Sequence, residues 1–146
     1  MNILFVCTGN TCRSPLAEAI LKSKQIPGID VRSAGIYAAP NLDLSEHAKG
    51  VLDEHNILHS HSSRPLTEHE VRWATYIFTM TESHKMAIGQ AFPFAIDKTF
   101  TLKEFIYDDK KNRDILDPFG GPLELYRETY HELQGLIGEL VRKLAE

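Results

Sequence analysis

The sequence predicts an α/β protein: a doubly wound parallel sheet of four strands, with helices on both faces making three layers. Three observations carry that prediction. Short apolar runs alternate along the chain with segments of good helix formers, the pattern of parallel strands joined by crossover helices. Ile3 to Cys7 (ILFVC) is apolar at every position, which suits a strand covered on both faces rather than on one. From Leu123 onward, Tyr126, Tyr130, Leu133, Ile137, Leu140, Val141 and Leu144 recur mostly at three- and four-residue steps, one apolar stripe on a long terminal helix.

The elements follow in order. Ile3–Cys7 is the first, central strand. Ser14-Pro15 then starts a helix, with a capping hydroxyl and an early proline ahead of LAEAILKSK. Asp30–Ile36 reads as a second strand, Ser45–His55 as a helix, Glu68–Val71 as a short helix, and Thr75–Met80 (TYIFTM) as a third strand. Thr81–Gln90 is helical, Lys98–Leu102 is a fourth strand, and Lys110–Gly121 is polar loop before the terminal helix.

At 146 residues with 42% apolar and 25% charged side chains, the chain matches one globular domain, taken here as 1–146. Sixteen basic against twenty acidic residues leave a net charge of −4, so non-specific attraction to nucleic acid or anionic membrane has no footprint and phosphate recognition must be local. MNILFVCTGN has no basic leader, and its apolar run is too short to span a bilayer, so a cytoplasmic location is expected. Cys7 and Cys12 lie five positions apart, in a chain large enough to need no disulfide scaffold, and read as reactive thiols.

The chemistry concentrates in Cys7-Thr8-Gly9-Asn10-Thr11-Cys12-Arg13-Ser14. A thiol ends a strand, an arginine follows six positions later, and a helix begins there. Gly9 and Asn10 tolerate left-handed backbone, so the loop can curl its N–H groups inward, and with the helix N-terminus it forms an anion cup. That field favours a thiolate, so Cys7 is expected to have a pKa well below the free value of roughly 8.5. Arg13 adds a planar fork able to hold two phosphate oxygens. Cys-x5-Arg alone is a weak pattern; the buried strand before it, Gly9 within it and Ser14-Pro15 after it make it specific.

CTGNTCRSPLAEA closely resembles the signature of the low-molecular-weight protein tyrosine phosphatase family, and the resemblance runs through Ser33-Ala34-Gly35, Met80-Thr81 and Asp117-Pro118. It implies a flavodoxin-like phosphatase fold, a phosphocysteine intermediate, phosphorylated protein substrates, a monomer, and no cofactor or metal. It makes Cys7 the nucleophile and Arg13 the phosphoryl-binding residue, with Ser14 hydrogen-bonded to the thiolate. Thr8, Gly9, Asn10, Thr11, Cys12 and Ser14 surround the phosphate, and Asn10, Ser33 and His61 hold the loop in shape. Cys12 resembles the second loop cysteine, which can trap an oxidised nucleophile as a disulfide; a passive small side chain is the bland reading.

Expelling a leaving group needs a proton donor that can later activate water, and a carboxyl group suits both tasks. The candidates are Asp108, Asp109, Asp114 and Asp117. Asp117 alone precedes a proline, which biases it to an extended conformation and fixes its direction. Phe119 follows as a wall for substrate. Two departures bear on selectivity. Phe119 is followed by Gly120, where the family commonly has a second aromatic residue. Thr11 stands where tyrosine-specific members usually carry an aliphatic β-branched residue. Both resemble the bacterial protein-arginine phosphatase branch. A planar, cationic guanidinium is better met by a hydroxyl and a carboxylate than by an apolar wall.

Other readings compete less well. Thiol-based arsenate reduction would need cysteines downstream of Cys12, and the sequence has none. A phosphate-binding module would need neither a thiolate nor a positioned acid. His55, His59 and His61 cluster without an evident carboxylate partner and read as a solvated loop. Trp73 reads as a packing or rim residue, and the charges of Asp108-Asp109-Lys110-Lys111 cancel, as on a solvated loop.

Overall fold

The computed structural model describes residues 1–108 and 111–145; Asp109 and Lys110, part of the predicted charge run and the former an acid candidate, lie outside the described residues. Four strands, β1 (Asn2–Cys7), β2 (Asp30–Gly35), β3 (Tyr76–Thr79) and β4 (Thr99–Thr101), pair in parallel in the order β2-β1-β3-β4. Between and after them run α1 (Arg13–Ser23), α2 (Glu46–Glu54), α3 (Glu68–Trp73), α4 (Glu82–Ala91), α5 (Leu102–Tyr107) and α6 (Leu123–Leu144), with a 3-10 turn at Pro93–Lys98.

β1 is central, and its side chains alternate between two cores as a pleated strand requires. Ile3, Phe5 and Cys7 join the core formed with α1, α2 and α6. Leu4 and Val6 join the smaller core that contains Val71 of α3 and Ile88 of α4. The sheet is thus covered on both faces, as the apolar run predicts. The stripe on α6 is buried at Tyr126, Tyr130, Leu133, Ile137 and Leu140, where it packs on α1, α2 and α5.

Two elements differ from expectation. The fourth strand stops at Thr101, and α5 begins at once, because Thr101 accepts from the Glu104 amide at 3.1 Å while the Glu104 carboxylate accepts from the Thr101 amide at 2.8 Å. This reciprocal capping box diverts the chain from strand to helix. At α1 the Ser14 hydroxyl does not cap the helix; Cys12 is the N-cap and makes no side-chain cap bond. Pro15 falls at the third helical position, where an amide has no intrahelical partner to lose.

The order places β1 beside both β2 and β3, so the loop after Cys7 opens at the carboxyl end of the sheet where connections leave in opposite directions. Gly35 closes β2 against that loop. A Cβ there would stand 2.6 Å from the Thr8 carbonyl oxygen and 2.9 Å from the Asn10 amide nitrogen, both backbone atoms that cannot swing aside. Gly35→Ala is therefore expected to cost about 1–3 kcal/mol and to weaken phosphate binding with it. Urea melts and phosphate inhibition constants check this; an unaltered inhibition constant would show that the loop does not depend on this approach.

Candidate active site

Residues 7–14 are held from several directions. β2 hands over directly to the loop: Ile36 N–H donates to Cys7 O and Tyr37 N–H to Thr8 O, each at 3.0 Å. Asn10 takes the left-handed conformation at φ 57°, as expected for a short polar residue in a curled loop. Its buried side chain is the hub. Asn10 Oδ1 accepts from the Arg64 amide at 2.9 Å, which fixes the orientation of the amide group. Nδ2 then donates to Ser14 Oγ and to Ser33 Oγ, each at 2.9 Å. Ser33 donates onward to Glu18 at 2.5 Å, leaving the Ser14 hydroxyl to donate to Cys7 Sγ at 2.8 Å. His61 Nε2 meets the Asn10 carbonyl at 2.6 Å. Asn10, Ser14, Ser33 and His61 are thus joined in one hydrogen-bonded network behind the thiol.

A depression of about 190 Å³ is lined by Cys7, Thr8, Gly9, Thr11, Cys12, Arg13, Asp117 and Phe119. Eight of the predicted site residues therefore meet on one wall. Asn10 and Ser14, predicted to surround the phosphate, do not line it; their side chains serve the network behind, while their amides point toward Cys7. Arg13 is buried, and its Nη1 donates to the Ile115 carbonyl at 2.9 Å. Its Nε is buried without a partner among the described residues. Nη2 lies 3.5 Å from Asp117 Oδ2. Asp117 is half exposed, and its other oxygen accepts from the Phe119 amide at 3.0 Å, which holds the carboxylate over the depression. Asp114 is occupied elsewhere, accepting from the Glu82 amide at the start of α4 at 2.8 Å. Asp108 ends α5 in a left-handed turn. Phe119 is largely exposed at the rim of the depression.

Burial is the largest influence on Cys7 and pushes its thiol up; the Ser14 hydroxyl, the Ser14 and Asn10 amides and the Arg13 charge pull it down. The low thiol pKa expected from the loop sequence is therefore not what this geometry gives. The sequence displays the donors but not the depth at which the sulfur sits. Cys12 is also buried, its Sγ 3.4 Å from Ser45 Oγ and 3.5 Å from the Tyr126 hydroxyl. Burial and that contact push Tyr126 up to about 12, so its hydroxyl keeps its proton.

Sequence reading missed His84, Glu18 and Arg64. The buried His84 ring meets Thr8 Oγ1 through Nε2 at 2.8 Å, and its amide is capped by Thr81. Burial first, and the Arg13 charge second, lower His84 to about 4. The unfolded imidazole titrates near 6.5, so the stability this residue contributes is fully present above about pH 6.5 and is lost as pH falls through about 4. The difference is about 3 kcal/mol. His84→Gln is expected to flatten the decline in stability between those limits, measured by urea unfolding; a decline as steep as in the parent would place its cause elsewhere.

A thiol faced by a serine hydroxyl, loop amides and an arginine can take a phosphoryl group onto sulfur, and that chemistry puts the protein among the cysteine-dependent phosphatases. The family model described as low molecular weight phosphotyrosine protein phosphatase matches residues 2–146, and the chain belongs to that family. It is 52% identical over 142 residues to the protein-arginine-phosphatase of Geobacillus stearothermophilus, covering 97% of this chain and 95% of that one. It is 41% identical over 140 residues to a low molecular weight protein-tyrosine-phosphatase of Staphylococcus aureus, covering 96% of each. Among solved structures, a mutant arginine phosphatase with a phosphorylated active-site serine has a TM-score of 0.96 at 43% identity, covering 100% of this chain and 97% of that one.

Proposed function

We propose that the protein, acting as a monomeric single domain in the cytoplasm, hydrolyses phosphoarginine in proteins through a phosphocysteine intermediate. The observation that carries this reading is the placing of Thr11 and Asp117 together on the wall around Cys7 and Arg13. The identity to an arginine phosphatase supports it. A guanidinium presents several N–H donors in one plane, and the half-exposed Asp117 carboxyl group offers an oxygen to accept from them beside the proton it gives the leaving nitrogen. The Thr11 hydroxyl adds a polar contact without the bulk of an aliphatic side chain.

In the first step the phosphoryl oxygens lie among the loop amides and the Arg13 fork. The Cys7 proton passes to the entering phosphoryl dianion, and the Ser14 hydroxyl holds the resulting thiolate. Sulfur attacks phosphorus, the S–P bond forms and the P–N bond breaks. The electron pair leaves with the guanidino nitrogen, which takes a proton from the Asp117 carboxyl. In the second step the Asp117 carboxylate takes a proton from water as its oxygen attacks phosphorus, and the S–P bond breaks to give inorganic phosphate and the Cys7 thiolate. Binding charge where it develops and supplying the proton in place are the two contributions of the site.

The tyrosine-phosphatase reading is favoured by one observation, the exposed Phe119 face, which could stack on a phenyl ring. Thr11→Ile separates the two. The larger apolar side chain should obstruct a guanidinium and give a wall to a phenyl ring, so phosphoarginine kcat/KM should fall while phosphotyrosine kcat/KM holds or rises. A change of about 1.4 kcal/mol gives about tenfold in their ratio. Equal losses on both peptides would reduce Thr11 to a loop-shaping role.

A further inference from the structure

We propose that Glu18, His59 and His61 form a binding site for a divalent transition-metal ion of the zinc class, separate from the depression at Cys7. Each of the three can bring one ligand atom within 4.8 Å of the others. The fold supplies the carboxylate that the histidine cluster lacks in sequence: Glu18 comes from α1, while His55 lies elsewhere, stacked on Tyr130. The His59 and His61 rings stand nearly parallel, 5.9 Å apart.

The ligand atoms are in the states an ion needs. His59 Nε2 is buried and has no hydrogen-bond partner among the described residues, a costly condition that coordination would relieve. His61 uses Nε2 on the Asn10 carbonyl. A carbonyl only accepts, so Nε2 carries the proton and Nδ1 keeps a lone pair, the arrangement by which metal-bound histidines are oriented from outside. Glu18 is steadied by the Ser33 hydroxyl on Oε1. Tetrahedral ligation at about 2.0–2.2 Å sets donors about 3.4 Å apart, a contraction that side-chain torsions can supply.

Two cations line the depression of about 330 Å³ that Glu18 and His61 border, and both can be accommodated. Arg64 is turned to Glu70, its Nη1 3.8 Å from Oε1. Lys22 Nζ sits on Glu18 Oε2 at 2.5 Å, where it occupies the ion's place by charge, and it is half exposed and free to leave into solvent. Three protein donors, one of them anionic, leave the fourth position to water. The hard dications favour all-oxygen sites, so two imidazoles select zinc-like ions over magnesium or calcium. Because His61 also holds the Asn10 carbonyl, the ion would tie α1 and the phosphate-binding loop to one anchor.

The test is titration of the intact chain with Zn²⁺ by calorimetry and with Co²⁺ by absorbance. One equivalent should bind, and the cobalt complex should lack the intense near-ultraviolet band of thiolate ligation. His59→Ala should weaken binding by tenfold or more, Lys22→Met should tighten it several-fold by removing the competing ammonium, and Cys7→Ser should leave it unchanged. The opposite signs of the first two variants cannot both arise from damage to the fold. Absence of binding, retention of affinity in His59→Ala, no gain in Lys22→Met, or loss of the ion in Cys7→Ser would each overturn the proposal.

Discussion

Cys7→Ser is expected to stop turnover, by about 10⁴-fold or more, while the protein stays folded. Oxygen replaces sulfur in a buried position already facing the Ser14 hydroxyl and the loop amides, so the new hydroxyl finds partners and the core loses little. Its alkoxide is far harder to form than a thiolate, and an oxygen–phosphorus ester is a poor thing to hydrolyse without a good leaving atom. Slow transfer to the serine is nevertheless consistent with the phosphorylated serine in the similar mutant enzyme. Intact mass after incubation with phosphoarginine should therefore show one added phosphoryl group and no catalytic release of phosphate. Residual turnover above about 1% of the parent rate, against a loss of this order for nucleophiles generally, would sink the covalent mechanism.

Asp117→Asn is expected to lower kcat by about 10²- to 10⁴-fold, the usual worth of a positioned proton donor. Asparagine keeps an oxygen for the Phe119 amide, so the turn that aims the side chain survives. What disappears is the proton and the charge 3.5 Å from Arg13. The deficit should be smallest with a nitrophenyl phosphate, whose leaving group departs unaided, and largest with phosphoarginine or an alkyl phosphate. A deficit independent of the leaving group would mean that Asp117 only orients Arg13.

How much of this was legible in the sequence differs by the range of the interaction concerned. β1 was legible because a strand buried on both faces must be apolar throughout, and α6 because one buried stripe leaves a period. α5 was not, since its six residues are too few to show a period; Thr101 and Glu104, three apart, were the available signal. The cup was legible because residues 7–14 are contiguous. Its supports were not: the Arg13 partner is the Ile115 carbonyl, and Asn10 is aligned by the Arg64 amide, backbone groups that every residue carries. His84 reaches Thr8 from 76 positions away, and nothing local distinguishes it from a surface histidine at the start of a helix. Glu18 looked like one more charge on α1 until β2 brought Ser33 beside it.

The separations in that list bear on how the protein comes into being. The thiol and its loop are made before their supports, and the contacts that shape them arrive from 23, 51, 76 and 102 positions further along. A ribosome must therefore deliver the chain at least as far as residue 115 before the cup is complete, and β1 waits unpaired with β3 until residues beyond 75 have emerged. Non-local parallel pairing of this kind is slow to nucleate. During that interval Cys7 is an ordinary cysteine in an unfinished chain, without arginine, acid or amide ring to direct it. Enzymatic activity then becomes a clock for the last stage of folding: in refolding from urea it should return with the slowest phase, after helix content has recovered.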